Sequence, residues 1–236
     1  MKQDSEEREK VFTCEETGQE FTGVQVRFGG GWFPPHRFHP DVLDAQQEKE
    51  KQADRDAKAQ ARAHTLLTQY QNDCPAIMLE TDLERLPRKG RETVMDWQHQ
   101  PTGIILHGVT GKGKTRLMWA KVKQLSELGV GWQFWSARKL ADTLSESWDK
   151  RQHEKIMVGL HRCPVLFLDD VGKERVTGRW ETELFDMVNA RTENARPTFI
   201  STNFQGGALV ARYKDAEMAA ALLRRLREFF QAVCLT

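Results

Sequence analysis

The chain has 236 residues, 39% of them hydrophobic and 29% charged, with a mean hydropathy of −0.63. No stretch approaches the roughly 18 uninterrupted apolar residues of a membrane-spanning helix, while seven Trp and twelve Phe supply the core that a wholly disordered chain lacks. With 35 basic against 34 acidic residues, the net charge is +1, so any contact with nucleic acid must come from a local patch rather than a global field.

The start, Met1-Lys2-Gln3-Asp4-Ser5-Glu6-Glu7, shows no apolar segment of a secretory signal. Cys14, Cys74, Cys163 and Cys234 are scattered without a disulfide spacing, so a cytoplasmic location is expected. Residues 1–40 form a first module, charged and then rich in aromatic residues and glycine. It ends in Gly29-Gly30-Gly31-Trp32-Phe33-Pro34-Pro35, which is loop or short-strand chemistry. Residues 41–72 hold strong helix formers and neither Gly nor Pro, and their apolar positions before Leu66 are mostly Ala. That composition predicts a solvated linker helix.

From residue 73 to 236 the texture is α/β. Short apolar runs at Gly103–His107, Gly131–Trp135, Val165–Leu168, Thr198–Ser201 and Ala232–Leu235 read as strands. Helical stretches fall at about 114–128, 137–160 with a break, 179–195 and 215–230. Near-continuous apolar strands separated by helices imply a parallel sheet covered on both faces.

Gly108-Val109-Thr110-Gly111-Lys112-Gly113-Lys114-Thr115 matches the phosphate-loop pattern G-x-x-x-x-G-K-[ST] at every fixed position. A strand ends just before it and a helix-forming run beginning at Arg116 follows. Glycines let successive backbone N–H groups turn inward around a phosphate, and the helix N-terminus adds partial positive charge. Lys114 is expected to reach the β and γ oxygens of a nucleoside triphosphate such as ATP, and the Thr115 hydroxyl to ligate Mg²⁺.

Val165-Leu166-Phe167-Leu168-Asp169-Asp170 is an apolar strand ending in two carboxylates. Ligands of such sheets sit beyond the carboxyl ends of the strands, where the phosphate loop also opens. Asp169 is therefore placed to hold the Mg²⁺ shell, and Asp170 to orient or deprotonate an attacking water, or else to cap the turn that follows. The next strand ends in Ser201-Thr202-Asn203. Asn203 is read either as a hydrogen-bonding partner of the γ-phosphate or the lytic water, or as an ordinary strand-end residue. A final amphipathic helix buries Leu222, Leu223, Leu226, Phe229 and Phe230. It leaves arginines, Arg225 among them, to be solvated or to serve a neighbouring subunit's γ-phosphate. A whole helix–strand–helix unit separates the two motif strands, and no arginine-rich lid insertion is visible. Both features favour a water-activating NTPase over a small-molecule kinase.

On Gly108–Thr115, on Leu166–Lys173, on Arg196–Asn203 and on Arg225-Leu226, the chain resembles AAA+ ATPases of the DnaC/IstB type from about Cys74 onward. The resemblance implies a five-stranded sheet of order 5-1-4-3-2, and the roles of sensor 1 for Asn203 and arginine finger for Arg225. It also implies nucleotide-dependent self-assembly, contact with single-stranded DNA and binding to a replicative helicase. The sequence runs only a few residues past its last strand, so the helical lid of many AAA+ proteins, with its sensor 2 arginine, is expected to be missing. Asp170 stands where most of these enzymes have Glu, and its shorter reach predicts slow hydrolysis.

The first module resembles a small zinc module of such loaders, C-x-x-C-G followed by C-P-x-C, reduced here to Cys14-Glu15-Glu16-Thr17-Gly18 and His39-Pro40-Asp41-Val42. Structural zinc wants four ligands. Cys14 and His39, even with Asp41 or His36, make a poor set, and no zinc site is expected. The leading function is an ATP-driven helicase loader; the alternatives are a nucleotide-gated adaptor that scarcely hydrolyses and a transposition helper. DNA contacts are sought among Lys121, Lys123, Lys139, Lys150, Arg151 and Lys155, and the adenine pocket around Leu79–Pro87.

Overall fold

A computed structural model describes residues 7–28, 30–33, 39–147 and 150–235. The chain divides into two compact units, residues 1–60 and 61–236.

In the first unit, β1 (Glu7–Thr13), β2 (Glu20–Phe28) and β3 (Gly31–Phe33) form an antiparallel sheet in that order. The hairpin closes over a tight turn in which Cys14 O accepts from Gly18 N at 2.9 Å and Gly18 takes φ +70°. Phe12 pairs across the strands with Phe21, their rings 5.8 Å apart, and the Arg8 guanidinium stands 4.1 Å over the Trp32 ring. β3 falls within residues 29–35, the stretch with loop or short-strand chemistry. β1 and β2 go beyond it, and the alternation of Val24, Val26 and Phe28 with Gln25 and Arg27 is the sequence signal for β2. The helix α1 (Pro40–Asp73) is exposed along most of its length, and Tyr70, near its end, is buried.

In the second unit, α2 (Ala76–Leu79), a 3₁₀ turn (Leu83–Arg85) and α3 (Arg88–Met95) lead into β4 (Gly103–His107) and α4 (Lys114–Glu127). Then come β5 (Trp132–Ser136), α5 (Ala137–Glu146), α6 (Lys150–Arg162), β6 (Val165–Val171) and α7 (Gly178–Glu193). The unit ends with β7 (Thr198–Thr202), α8 (Gly206–Val210), α9 (Ala216–Phe229) and β8 (Phe230–Cys234). The order β5-β6-β7-β4-β8 is parallel throughout and is the expected 5-1-4-3-2 when the five strands are counted in chain order.

Alternate strand residues face opposite sides. Ile104, Leu106, Phe167 and Phe199 join Trp119 and Val122 of α4 on one face, while Leu166, Leu168 and Ile200 join Trp180, Leu184 and Leu226 on the other. This period-2 division of strands buried on both sides is the reason they read as continuous apolar runs. The β4 and β6 strands, which carry the two motifs, are separated by β7. Pairing of β6 with β7 runs regularly to Leu168↔Ile200, then shifts and resumes at Val171↔Thr202. The irregularity falls on Asp169 and Asp170.

Candidate active site

The turn after β4 depends on glycine at three positions. Gly108, Gly111 and Gly113 take φ of +142°, +85° and +82°. A Cβ on Gly108 would lie 2.3 Å from Leu235 O, and one on Gly113 would lie 2.4 Å from Leu86 Cδ2. The loop is thus clamped between the last strand and the segment before α3, and it opens directly into α4. Lys114 folds back over it, its Nζ donating to Gly108 O at 2.8 Å and Val109 O at 3.0 Å. Burial lowers its pKa, with the Asp170 charge opposing. A lysine ammonium has three protons, so one donor is left over for an anion. Val109, expected among the nucleotide-binding residues, is 64% exposed and offers its carbonyl to Lys114, but it is not part of the cavity lining.

Thr115, the second residue of α4, places its hydroxyl 2.9 and 3.1 Å from the two oxygens of Asp169. Asp169 is buried, which raises its pKa, while hydrogen bonds from Ser201 and Thr115 pull the other way. A buried carboxylate held by hydroxyls, with no ion pair among the described residues, suits a divalent ion, and Thr115 with Asp169 is the oxygen-rich donor set that Mg²⁺ takes.

Asp170 is one of two non-glycine residues at positive φ among the described residues, at +59°. Its carboxylate meets Lys173 Nζ at 2.8 Å, and its amide donates to Ser201 Oγ at 2.9 Å. Asn203 donates from Nδ2 to Thr110 Oγ1 at 3.1 Å, whereas its Oδ1 is buried with no hydrogen-bond partner among the described residues, an acceptor awaiting a donor.

Thr110–Arg116, Asp170, Lys173 and Asn203 line one cavity of about 900 Å³, and Met78, Leu86 and Pro87 form an apolar wall beside them. Arg116 ties that wall to α4, its Nη1 donating to Ile77 O at 2.6 Å. Gly108, Thr110–Arg116, Asp169, Asp170 and Asn203 therefore meet at the carboxyl edge of the sheet, as sequence spacing predicts. Two residues to which the sequence reading gives no role, Ser201 and Lys173, complete the group. A hydroxyl within the otherwise apolar run Phe199-Ile200-Ser201 was the signal for Ser201, because a buried O–H needs a partner.

Arg225 does not line the cavity. It is half-buried on α9, its Nε donating to Asn189 Oδ1 at 3.0 Å, so within one chain it stands away from the phosphate loop. Lys121 has to be withdrawn as a DNA contact. It is 2% exposed, and its Nζ donates to Met95 O, Trp97 O and Gln124 Oε1, because it lies on the buried stripe of α4 with Leu117, Met118 and Leu125. Lys123, Lys139, Lys150, Arg151 and Lys155 are exposed.

In the first unit, Cys14 is buried. Burial pushes its thiol up, but the backbone N–H groups of His39, Thr17 and Glu16 and the Thr17 hydroxyl outweigh that and bring it to about 7. His39 Nδ1 accepts from Asp41 N at 3.3 Å, and its ring meets Phe21 edge-on. No group of three or more His, Cys, Asp or Glu able to hold a metal occurs among the described residues, and His36 lies outside them. No helix among them is long and apolar enough to cross a membrane.

The family model of the IstB-like ATP binding protein matches residues 41–234. Among curated relatives, the replicative helicase loader DnaI of Bacillus subtilis is 28% identical over 52% of this chain and 42% of its own length. An ATP-binding protein encoded in an insertion sequence of Mycobacterium tuberculosis is 24% identical over 55% of this chain and 52% of its own. The chain thus spans about half the length of these relatives. Among solved structures, DnaI superposes with a TM-score of 0.59 at 22% identity, over 70% of this chain and 95% of the other. The DnaC helicase loader gives 0.57 at 20%, over 69% of this chain and all of the other. These likenesses establish the P-loop AAA+ fold, and with the family match over most of its length the chain belongs to the IstB-like ATP-binding proteins.

Proposed function

We propose that the chain binds Mg²⁺·ATP in this cavity, hydrolyses it slowly, and uses the cycle to deliver a replicative helicase to single-stranded DNA. The observation that carries the nucleotide chemistry is the meeting of Thr115 with Asp169 at the mouth of a glycine-lined loop, with Asp170 and Asn203 across the same cavity. Lys114 neutralises the β and γ oxygens, and the loop amides with the α4 N-terminus hold the phosphates. Asp170 accepts the proton of the attacking water, and the free Asn203 Oδ1 fixes that water's orientation. Thr115 and Asp169 would hold Mg²⁺, which would supply positive charge to offset the charge on the phosphates. Met78, Leu86 and Pro87 offer the adenine an apolar seat. Arg225 acts on a neighbouring protomer, consistent with its position away from its own cavity. A cytoplasmic setting accords with this work. Helicase loading is favoured by the likeness to DnaI and DnaC.

A second reading, a nucleotide-gated adaptor or transposition helper with little hydrolysis, is supported by one contact. The Asp170 carboxylate is engaged by Lys173 rather than free for water. Single-turnover hydrolysis with and without single-stranded DNA separates the two. Release of phosphate within minutes, faster with DNA, supports the loader; bound ATP that persists for hours supports the adaptor. Affinity capture with ATP and with ADP then asks whether a replicative helicase leaves on exchange, as the loader requires, or whether a transposase is retained instead.

A further inference from the structure

We infer that Ser201 is a positioning residue that locks the two acids of β6 into their working geometry. The inference rests on the hydrolytic reading above and extends it to a residue that does not touch the nucleotide.

Ser201 is 0% exposed. A serine hydroxyl has one proton to give and lone pairs to accept with, and both capacities are used in opposite directions. The Oγ donates to Asp169 Oδ1 in a short contact and accepts the Asp170 amide at 2.9 Å. Asp169 is thereby held from two sides, by Ser201 and by Thr115.

The Asp170 amide needs this partner because the β6–β7 ladder breaks there, between Leu168 and Val171. A bulge leaves a residue unpaired in the ladder, and a buried N–H left so is costly. Asp170 also sits at φ +59°, a left-handed conformation uncommon for a non-glycine residue. Such a conformation persists only where its surroundings over-determine it. Asp170 is restrained by the Ser201 hydrogen bond, by Lys173 N donating to Asp170 O at 3.1 Å, and by the Lys173 ion pair. The ion pair involves side chains about 40% exposed, a weak restraint in water, and the Ser201 bond alone ties Asp170 to β7. The buried hydroxyl therefore fixes both where Asp169 meets Thr115 and how Asp170 enters the cavity.

Three full-length variants test this. Ser201→Ala removes the hydroxyl, Ser201→Cys keeps the volume with a weak hydrogen-bonding group, and Ser201→Thr keeps the hydroxyl but adds a methyl. Amide exchange at Asp170, the affinity for ATP with and without Mg²⁺, and kcat against KM are measured for each. Ala and Cys are expected to speed Asp170 exchange at least tenfold. They should leave metal-free ATP affinity within twofold, cut the gain in affinity on adding Mg²⁺ by about tenfold with KM for Mg²⁺·ATP rising in step, and lower kcat as well. Thr retains wild-type behaviour. If Ser201 merely fills space, the order reverses: Cys is harmless and Thr disruptive. That reversal, or wild-type Asp170 protection in Ser201→Ala, overturns the inference. Failure of the wild-type chain to bind Mg²⁺·ATP instead sinks the parent reading, and the Asp170 exchange data would still decide the role of Ser201 in holding the strand.

Discussion

The Thr115 hydroxyl and the Asp169 carboxylate, 54 residues apart in sequence, lie 2.9 and 3.1 Å from one another through the two carboxylate oxygens. The sheet makes this meeting. Strand β4 delivers the loop that starts α4, β6 delivers the acid, and β7 between them supplies the Ser201 hydroxyl, with the Asn203 amide just past its end.

Lys114→Ala should cost about 10- to 100-fold in ATP affinity, the worth of a charge-assisted hydrogen bond, without unfolding the chain. Burial depresses the lysine's folded pKa below its unfolded value, so the unfolded chain holds that proton more tightly. Burial of the charge thus opposes what the hydrogen bonds to Gly108 O and Val109 O contribute, so the melting temperature should change little in Lys114→Ala. Calorimetric titration beside a thermal melt checks both halves.

Asp170→Asn should leave ATP affinity within about twofold while lowering kcat 10²- to 10⁴-fold, the range for loss of a general base. Asn tolerates the left-handed φ of this position at least as well as Asp, so the melting temperature should hold. Single-turnover phosphate release, with nucleotide binding measured separately, tests the pairing of these two results.

Arg225→Ala should lose hydrolysis by about 10³-fold if the guanidinium stabilises charge on a neighbour's phosphate. Each protomer would then need its own loop and another's arginine. Mixing Arg225→Ala with Lys114→Ala, both inactive alone, should restore activity, since the first keeps the cavity and the second keeps the arginine. No recovery on mixing at any ratio, with assembly intact, would remove Arg225 from that role.

Lys121 carries a pH signature. Burial lowers its pKa from 10.5 to about 8, with the Asp96 charge opposing. Between those values the unfolded chain binds more protons than the folded one, so stability from this group rises as pH rises from about 8 to 10.5. Urea midpoints for the wild type and Lys121→Met at pH 7 and pH 10 should show the wild type gaining on the variant, on the order of 1–3 kcal/mol. A constant difference would mean that Lys121 is as solvated as an ordinary surface lysine.

The phosphate loop was legible because its chemistry is local. Glycine spacing, one lysine and one threonine state the backbone shape and the ligand together, and the apolar strand before them fixes the context. Asp169 and Asp170 were legible as a pair at a strand end, but the bulge that gives Asp170 its φ of +59° was not, since it arises from pairing with β7. The strand order came from the resemblance to DnaC/IstB-type proteins rather than from any periodicity. Lys121 was misread by attending to its charge; its spacing from Leu117, Met118 and Leu125 already placed it on the buried stripe of α4. Glu174 is a comparable omission, a buried carboxylate accepting from Gly172 N at 2.7 Å and Trp180 Nε1 at 2.9 Å just past the acid pair. Its partners lie in the loop and on the following helix, and no sequence pattern connects them.

Calorimetric titration of Mg²⁺·ATP into the wild type, Thr115→Ala and Asp169→Asn measures the metal-bridged nucleotide site most directly. The wild type should bind one nucleotide per chain with an affinity that rises on adding Mg²⁺, and both variants should keep metal-free binding while losing about 10- to 100-fold of the metal-dependent gain. No heat in the wild type, or an undiminished response to Mg²⁺ in both variants, would contradict it.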